Sequence, residues 1–308
     1  MVTLKEIIRS HRRIEKFIYR TPVLTNQALN QIMGVKFFFK CENFQKSGAF
    51  KIRGATNAVQ QLSTEELEKG VATASSGNHG AALALAVTRR GGKTTIIMPD
   101  NSSPIKVENV KRNGGNIIWC APKQESREKV LTDFVAETGA IVIPPYNDER
   151  IIAGQGTAAV ELLDDQPDLD VIITPLSGGG LLSGTLCAAK NINPSIKIYG
   201  AEPEEANDAY RSLKTGKRQK NKSTNTICDG LRAQIGLINF QIIKEMVDGI
   251  ITLKEKEIID SMRIIWERMK IIVESSSAIA LAAVINNPDM FSNKRIGLIL
   301  SGGNVDLD

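Results

Sequence analysis

Residues 71–98 read VATASSGNHGAALALAVTRRGGKTTIIM. Val71 to Ala74 is a short β-rich run that breaks into a small polar turn, Ser75-Ser76-Gly77-Asn78-His79-Gly80. An alanine-rich helical stretch follows from Ala81 to Arg90, ended by Gly91-Gly92. Thr94 to Met98 is then a buried strand closed by Pro99. Strand, helix and strand in so short a span form a βαβ unit, whose two strands lie parallel.

The alternation extends outward from there. Toward the C-terminus the pattern predicts a helix over 103–112, a strand at 116–120, a helix over 126–138 and a strand at 140–143 before Pro144-Pro145. After Gln155 it predicts helix 157–163, strand 171–174, helix 179–190 and strand 196–200. Later come a helix at 254–269, a second alanine-rich helix at 277–285 and a last strand at 295–300. Toward the N-terminus, residues 2–20 have helical spacing up to Thr21-Pro22, 35–40 (VKFFFK) is β-rich, and 56–62 is helical. The expected fold class is α/β, with two parallel-sheet domains. Residues 69–146 form the smaller one, inserted into a larger one made of 1–68 and 147–308.

Composition narrows the function classes. In 308 residues, 42% apolar and 24% charged side chains describe a globular chain with a sizeable core. The formal charge of +5 is too mild to argue for nucleic acid. No uncharged apolar run approaches the ~18 residues of a membrane span, and the N-terminus lacks a signal peptide's apolar region. Cys41, Cys120, Cys187 and Cys228 are far apart and form no CxxC pair, which predicts a reduced, cytoplasmic protein. One segment stands apart: residues 211–225 (RSLKTGKRQKNKSTN) hold six basic side chains and no acid, the pattern of a solvated loop or a polyanion contact.

Four motifs carry chemistry. Lys51 follows the turn Ser47-Gly48-Ala49-Phe50 and opens a helix; a lysine there is a surface charge unless burial leaves it partly neutral for catalysis. The 75–80 turn precedes a helix and is either a serine-capped turn or an anion site built from backbone N–H groups. Ser177-Gly178-Gly179-Gly180-Leu181 also joins a strand to a helix, either as a bare glycine turn or as a phosphate cradle. It matches neither GxGxxG nor GxxxxGK[ST], which weakens the dinucleotide and P-loop readings. Ser301 ends the last apolar strand, where a polar side chain can face a crevice.

The combination and order of these motifs are informative. FFFKCENFQKSGAFKIRGA (37–55), SSGNHG (75–80), AGQGTAA (153–159), SGGGLLSG (177–184), YGAEPE (199–204), RMKIIVE (268–274) and LSGGNVD (300–306) run across nearly the whole chain. Together they resemble the fold-type II pyridoxal-phosphate (PLP) enzymes, the tryptophan-synthase-β-like family, in its serine/threonine dehydratase and serine racemase branch. The resemblance implies that Lys51 carries PLP covalently and, once freed, acts as general base. It implies that Phe50 lies against the pyridine ring, that Asn78 meets the ring hydroxyl, and that Ser177, Gly178, Gly179, Gly180 and Leu181 cradle the phosphate. Ser301 would meet the pyridine nitrogen; a hydroxyl there makes a weaker electron sink than an aspartate, which suits elimination or racemisation. The substrate carboxylate would sit on Ser75, Asn78 and His79, with Arg127 as a further contact. Glu202, Ala206 and Asp208 would hold Mg²⁺ or Ca²⁺ through hard oxygen ligands.

The activity expected from this resemblance is β-elimination of water from L-threonine or L-serine, giving 2-oxobutyrate or pyruvate and ammonia. Ser76 keeps a second activity in play, because in the racemases of this branch the second serine of SSGNHG serves as the opposing acid/base. The alternatives are therefore a serine racemase with side dehydratase activity and a 3-hydroxyaspartate dehydratase; a non-catalytic PLP-binding protein is remote. Lys46, Ser47, Lys270 and Asn304 fit the ATP site of animal serine racemases, but Ala81 and Asn113 do not. A homodimer is implied, and Tyr146 and residues 232–234 are candidates for the substrate wall.

Overall fold

The computed structural model describes residues 2–307. Its strands are β1 (Val23–Leu24), β2 (Lys36–Cys41), β3 (Val71–Ala74), β4 (Thr94–Pro99), β5 (Gly115–Cys120), β6 (Ile141–Val142), β7 (Val171–Pro175), β8 (Lys197–Pro203), β9 (Gly249–Leu253) and β10 (Arg295–Leu300). They form two sheets, a four-stranded one in the order β5-β4-β3-β6 and a six-stranded one in the order β1-β2-β10-β7-β8-β9. Every pairing is parallel except β1 with β2, an antiparallel edge too short for the periodicity to announce. The small sheet uses chain between β2 and β7, so it is inserted into the large one, as expected.

Several helices differ from expectation for identifiable reasons. The first is Leu4–Ile14, opened by a Thr3–Glu6 capping box, and stops short of Arg20. Beyond it, the Tyr19 N–H and carbonyl are taken by the Gln45 side chain. The helix expected at 157–163 runs Glu149–Asp165, with Asp148 as its N-cap. Its Gly154 and Gly156 look like breakers in the sequence. A Cβ on Gly154 would sit 2.6 Å from the Gly54 Cα, and one on Gly156 2.7 Å from the Gly184 carbonyl oxygen. Glycine there lets helices Lys51–Val59 and Gly180–Ile192 press directly on this central helix. The helix expected at 254–269 is α-helical over Glu255–Ile264 and continues as a π-turn over Ile265–Met269. Helix Leu237–Met246 and β9 had no sequence expectation.

A buried ion network anchors the Lys51–Val59 helix. The Arg53 guanidinium donates to both Glu42 carboxylate oxygens at 2.7 and 2.8 Å and to both Glu161 oxygens at 2.8 and 2.7 Å. Lys40 Nζ donates to Glu161 Oε2 at 2.7 Å. Two cations and two carboxylates, all fully buried, therefore balance one another. Burial opposes the Glu161 charge. Hydrogen bonds from His11 and Arg53, with the charges of Arg53 and Lys40, still hold its carboxyl well below the usual carboxylate range. The first residue of the helix so fixed is Lys51.

Candidate active site

The C-terminal ends of β3, β7 and β10 converge on a cavity of about 530 Å³ between the two sheets. Crevices at strand ends are where parallel α/β sheets place their ligands. Phe50, Lys51, Ser75, Ser76, Asn78, His79, Arg127, residues 177–181 and Ser301 all line it, so residues up to 251 positions apart share one space.

Lys51 Nζ donates to the Pro145 carbonyl at 2.9 Å and lies 5.1 Å from the centre of the Phe50 ring. Burial pushes its ammonium down to about 8, opposed by the charge of Glu274. A sizeable fraction of the amine is then neutral near physiological pH, as covalent and base chemistry both require. The Phe50 N–H donates to the Ser301 carbonyl at 2.9 Å, which ties the lysine turn to the end of β10.

The two serines of the 75–80 turn are not equivalent. Ser75 Oγ accepts from the N–H of Gly77 at 3.2 Å and of Gly80 at 3.1 Å, and so does the capping. The Ser76 hydroxyl takes no part in that cap. His79 Nε2 donates to the Ile143 carbonyl at 3.1 Å, and the ring is buried. Burial first, then the Lys51 charge, push its pKa down to about 3, so the ring is neutral. Its Nδ1 is left as an unpartnered acceptor. With Nε2 on the Ile143 carbonyl and Nδ1 buried, the neutral ring packs beneath the turn, so His79 would meet a substrate carboxylate through its main chain. What the turn offers an anion is backbone N–H groups. Asn78 Nδ2 donates to Glu274 Oε1 at 2.7 Å and Asn78 Oδ1 accepts from Asn304 at 3.0 Å, which leaves one amide hydrogen for a ligand.

The 177–181 turn leads into the 13-residue helix Gly180–Ile192, whose first N–H groups have no intrahelical acceptor. Gly179 has φ +96°, and a Cβ on Gly178 would lie 2.4 Å from the Tyr146 ring. The side chain of Ser177 is spent on Ala233, whose N–H donates to its Oγ and whose carbonyl accepts from it, both at 3.0 Å. The turn therefore presents main-chain donors, which suits a phosphate. Arg127 stands on helix Gln124–Thr138, among whose residues none is fully buried. Its Nη2 donates to Gln124 at 2.7 Å, and its Nε is buried without a partner.

Sequence reasoning missed an ion triad on the cavity wall. Lys106 Nζ lies 2.6 and 2.8 Å from the Asp229 carboxylate oxygens. It is also 3.1 Å from Glu274 Oε2, a charge contact rather than an aligned hydrogen bond. Burial raises the Glu274 carboxyl, offset by Lys106 and Asn78. Lys106 sits in a stretch that reads as an ordinary amphipathic helix. The one sequence signal was Glu274, inside the quoted RMKIIVE motif.

Glu202, Ala206 and Asp208 lie outside the cavity, at the end of β8 and the turn after it. Glu202 accepts from the N–H groups of Ala209 and Tyr210 at 3.1 and 2.9 Å, and Asp208 Oδ2 from that of Ile235 at 2.8 Å. Asp208 Oδ1 is buried with no partner. Burial and then the neighbouring Asp208 charge raise Glu202 well above its ordinary range; burial pushes Asp208 up to about 6. Two buried, mutually repelling carboxylates with one orphaned oxygen fit a hard divalent cation. Among the described residues no three His, Cys, Asp or Glu side chains converge, so main-chain oxygens would complete the set. The four cysteines are free and buried, and among the described residues no helix is long and apolar enough to cross a membrane.

Comparison with known proteins bears on this geometry. Residues 14–302 match the family described as pyridoxal-phosphate dependent enzyme. The chain belongs to that family. It is 49% identical over 312 residues to a serine racemase of Arabidopsis thaliana, covering 100% of this chain and 93% of the relative. It is 44% identical over 306 residues to a β-hydroxyaspartate dehydratase of Paracoccus denitrificans (strain Pd 1222), covering 99% and 97%. The solved threonine deaminase of T.th. superposes with a TM-score of 0.95 at 35% identity, covering 99% of each chain. Racemase and hydroxyaspartate relatives thus stand nearer than the threonine enzyme. Of the activities expected from the sequence, the alternatives gain more support than the serine/threonine dehydratase reading placed first.

Proposed function

We propose that the protein interconverts the enantiomers of serine and, in the same cavity, eliminates water from β-hydroxy amino acids. The observation that carries the racemase half is the division of labour between Ser75 and Ser76. Ser75 supplies the cap, so Ser76, which also lines the cavity, has a hydroxyl to spare for chemistry. Racemisation needs a proton acceptor and a proton donor on opposite sides of one carbon. Lys51 reaches the cavity from the helix that rests on the large sheet's central helix, and Ser76 from the end of β3 in the small sheet. Two groups on different walls support a two-base arrangement.

PLP bound here would supply an electron sink for the negative charge that develops on the α-carbon. Lys51 would hold it covalently, the main-chain donors of 177–181 would take its phosphate, and Ser301 and the remaining Asn78 hydrogen would meet its ring. The chain's own groups do the rest. The buried Lys51 amine takes or returns the α-proton, Ser76 serves the other side, and the 75–80 N–H groups orient the carboxylate. Arg127 favours a second carboxylate on the substrate, which supports 3-hydroxyaspartate as an elimination substrate beside serine. The reading includes Mg²⁺ or Ca²⁺ at Glu202, Asp208 and the Ala206 carbonyl, and a homodimer.

The test is purified, PLP-loaded protein with Mg²⁺ and, separately, L-serine, L-threonine and 3-hydroxyaspartate, with D-isomer and 2-oxo acid read in one tube. D-serine from L-serine, with oxo acid formed faster from 3-hydroxyaspartate than from L-threonine, is expected. Oxo acid from L-threonine with no D-serine would overturn the proposal in favour of a plain dehydratase.

A further inference from the structure

The charge of this chain is unevenly placed. Residues 211–225 carry six basic side chains and no acid, while the remainder holds 33 basic and 34 acidic ones. The whole positive excess therefore resides in one segment. Lys214, Lys217, Arg218, Lys220 and Lys222 are exposed, and among the described residues no carboxylate pairs with them.

The segment is held in place rather than loose. The Gln219 N–H donates to Ser212 Oγ at 2.7 Å, and Arg211 Nη2 donates to the Lys220 carbonyl at 2.5 Å. Asn221 Oδ1 accepts from the Asp208 N–H at 3.1 Å, and its Nδ2 reaches the Arg232 carbonyl at 3.5 Å. Arg232 in turn donates to the Thr226 carbonyl at 2.6 Å. Thr224 and Arg232 both line the cavity, so the segment's C-terminal end is part of the cavity's rim. Burial raises the phenol of Tyr146, a wall residue, and the charges of Arg127 and Arg218 work against that rise, which sets Arg218 within electrostatic reach of the interior.

We propose that residues 211–225 form an electropositive rim that selects amino acids bearing a second carboxylate over neutral ones as they enter the cavity. This rests on the amino-acid reading above and adds a specificity element outside the catalytic residues. Serine carries no net charge at neutral pH and 3-hydroxyaspartate carries one negative charge, so the rim's field acts on the second and not on the first. Such fields raise the local concentration of oppositely charged ligands by tenfold or more at low salt and fade with ionic strength. Their reach is about 30 Å at 0.01 M salt and about 8 Å at 0.15 M.

The test uses the holoenzyme with Lys217→Gln, Arg218→Gln, Lys220→Gln and Lys222→Gln combined. The segment's hydrogen bonds run through the Gln219 amide, the Lys220 carbonyl, Arg211 and Asn221, which all stay, so the fold is kept. At about 0.01 M salt, KM for 3-hydroxyaspartate is expected to rise about five-fold against the parent while KM for L-serine stays within two-fold. The difference should vanish near 1 M salt. The Kd of succinate, a non-reacting dicarboxylate, should shift by the same factor. Equal KM values in parent and variant, or an equal rise for both substrates, would overturn the rim and leave the segment as solvated surface. If neither amino acid turns over, the proposed function fails, yet the succinate Kd still decides the rim.

Discussion

Replacing Arg53 with methionine removes the cation shared by two buried carboxylates. The side chain makes four charged hydrogen bonds of 2.7–2.8 Å and a fifth to Thr157 Oγ1 at 3.1 Å, and it is fully buried. Lys40 remains beside Glu161, so Glu42 loses most. Breaking a buried pair while leaving its partner behind destabilises by about 3–5 kcal/mol. For a chain of 308 residues that corresponds to a fall in Tm of about 5–8 °C. The pH dependence is diagnostic. Glu161 has a depressed folded pKa, so its contribution is complete above the unfolded value near 4.5 and is lost as pH falls toward the folded one. Without Arg53 that depression shrinks. The deficit of the variant should therefore be largest at pH 7 and narrow only as pH falls below about 4.5, through the window in which the carboxylate's contribution is lost. Thermal and urea unfolding of parent and variant at about pH 3 and at pH 7 measure it. A loss under about 1 kcal/mol at pH 7, or a deficit that grows in acid, would refute the reasoning.

Three further outcomes follow from the site. Lys51→Ala should abolish turnover and the visible absorbance of bound PLP; a coloured, active variant would remove Lys51 from its role. Gly178→Ala should raise the Kd for PLP at least about ten-fold, since the new Cβ meets the Tyr146 ring at 2.4 Å; titration of apoenzyme with PLP checks it. Asp208, raised to about 6 without a cation, weakens the folded state as pH rises above its unfolded pKa near 3.8, until the shift is complete above about 6. Mg²⁺ or Ca²⁺ should thus raise Tm more at pH 8 than at pH 5, and Asp208→Asn should erase the response.

Local patterning announced most of what builds the cavity. The 71–98 stretch displays its strand, turn and helix directly, because each has its own period and its own terminators. The motifs lining the cavity were legible for the same reason: glycine and serine at strand ends leave the backbone exposed. Features set by contacts between distant segments were hidden. Gly154 and Gly156 read as breakers, although helix-to-helix contact with Gly54 and Gly184 requires them. Lys106 looks like a surface lysine until the fold brings Asp229 and Glu274 to it. The neutral state of His79 depends on burial that no local pattern reveals. Ser75 and Ser76 are chemically identical in the sequence, and only the two N–H groups folded onto Ser75 tell them apart.

That distinction leads to the most direct test. Ser76→Ala removes one hydroxyl that makes no cap and leaves Lys51 untouched. With the PLP-loaded variant and L-serine, D-serine formation should fall at least about 100-fold while pyruvate release persists within about ten-fold of the parent. D-serine forming at the parental rate would contradict a two-base racemase and remove Ser76 from the chemistry.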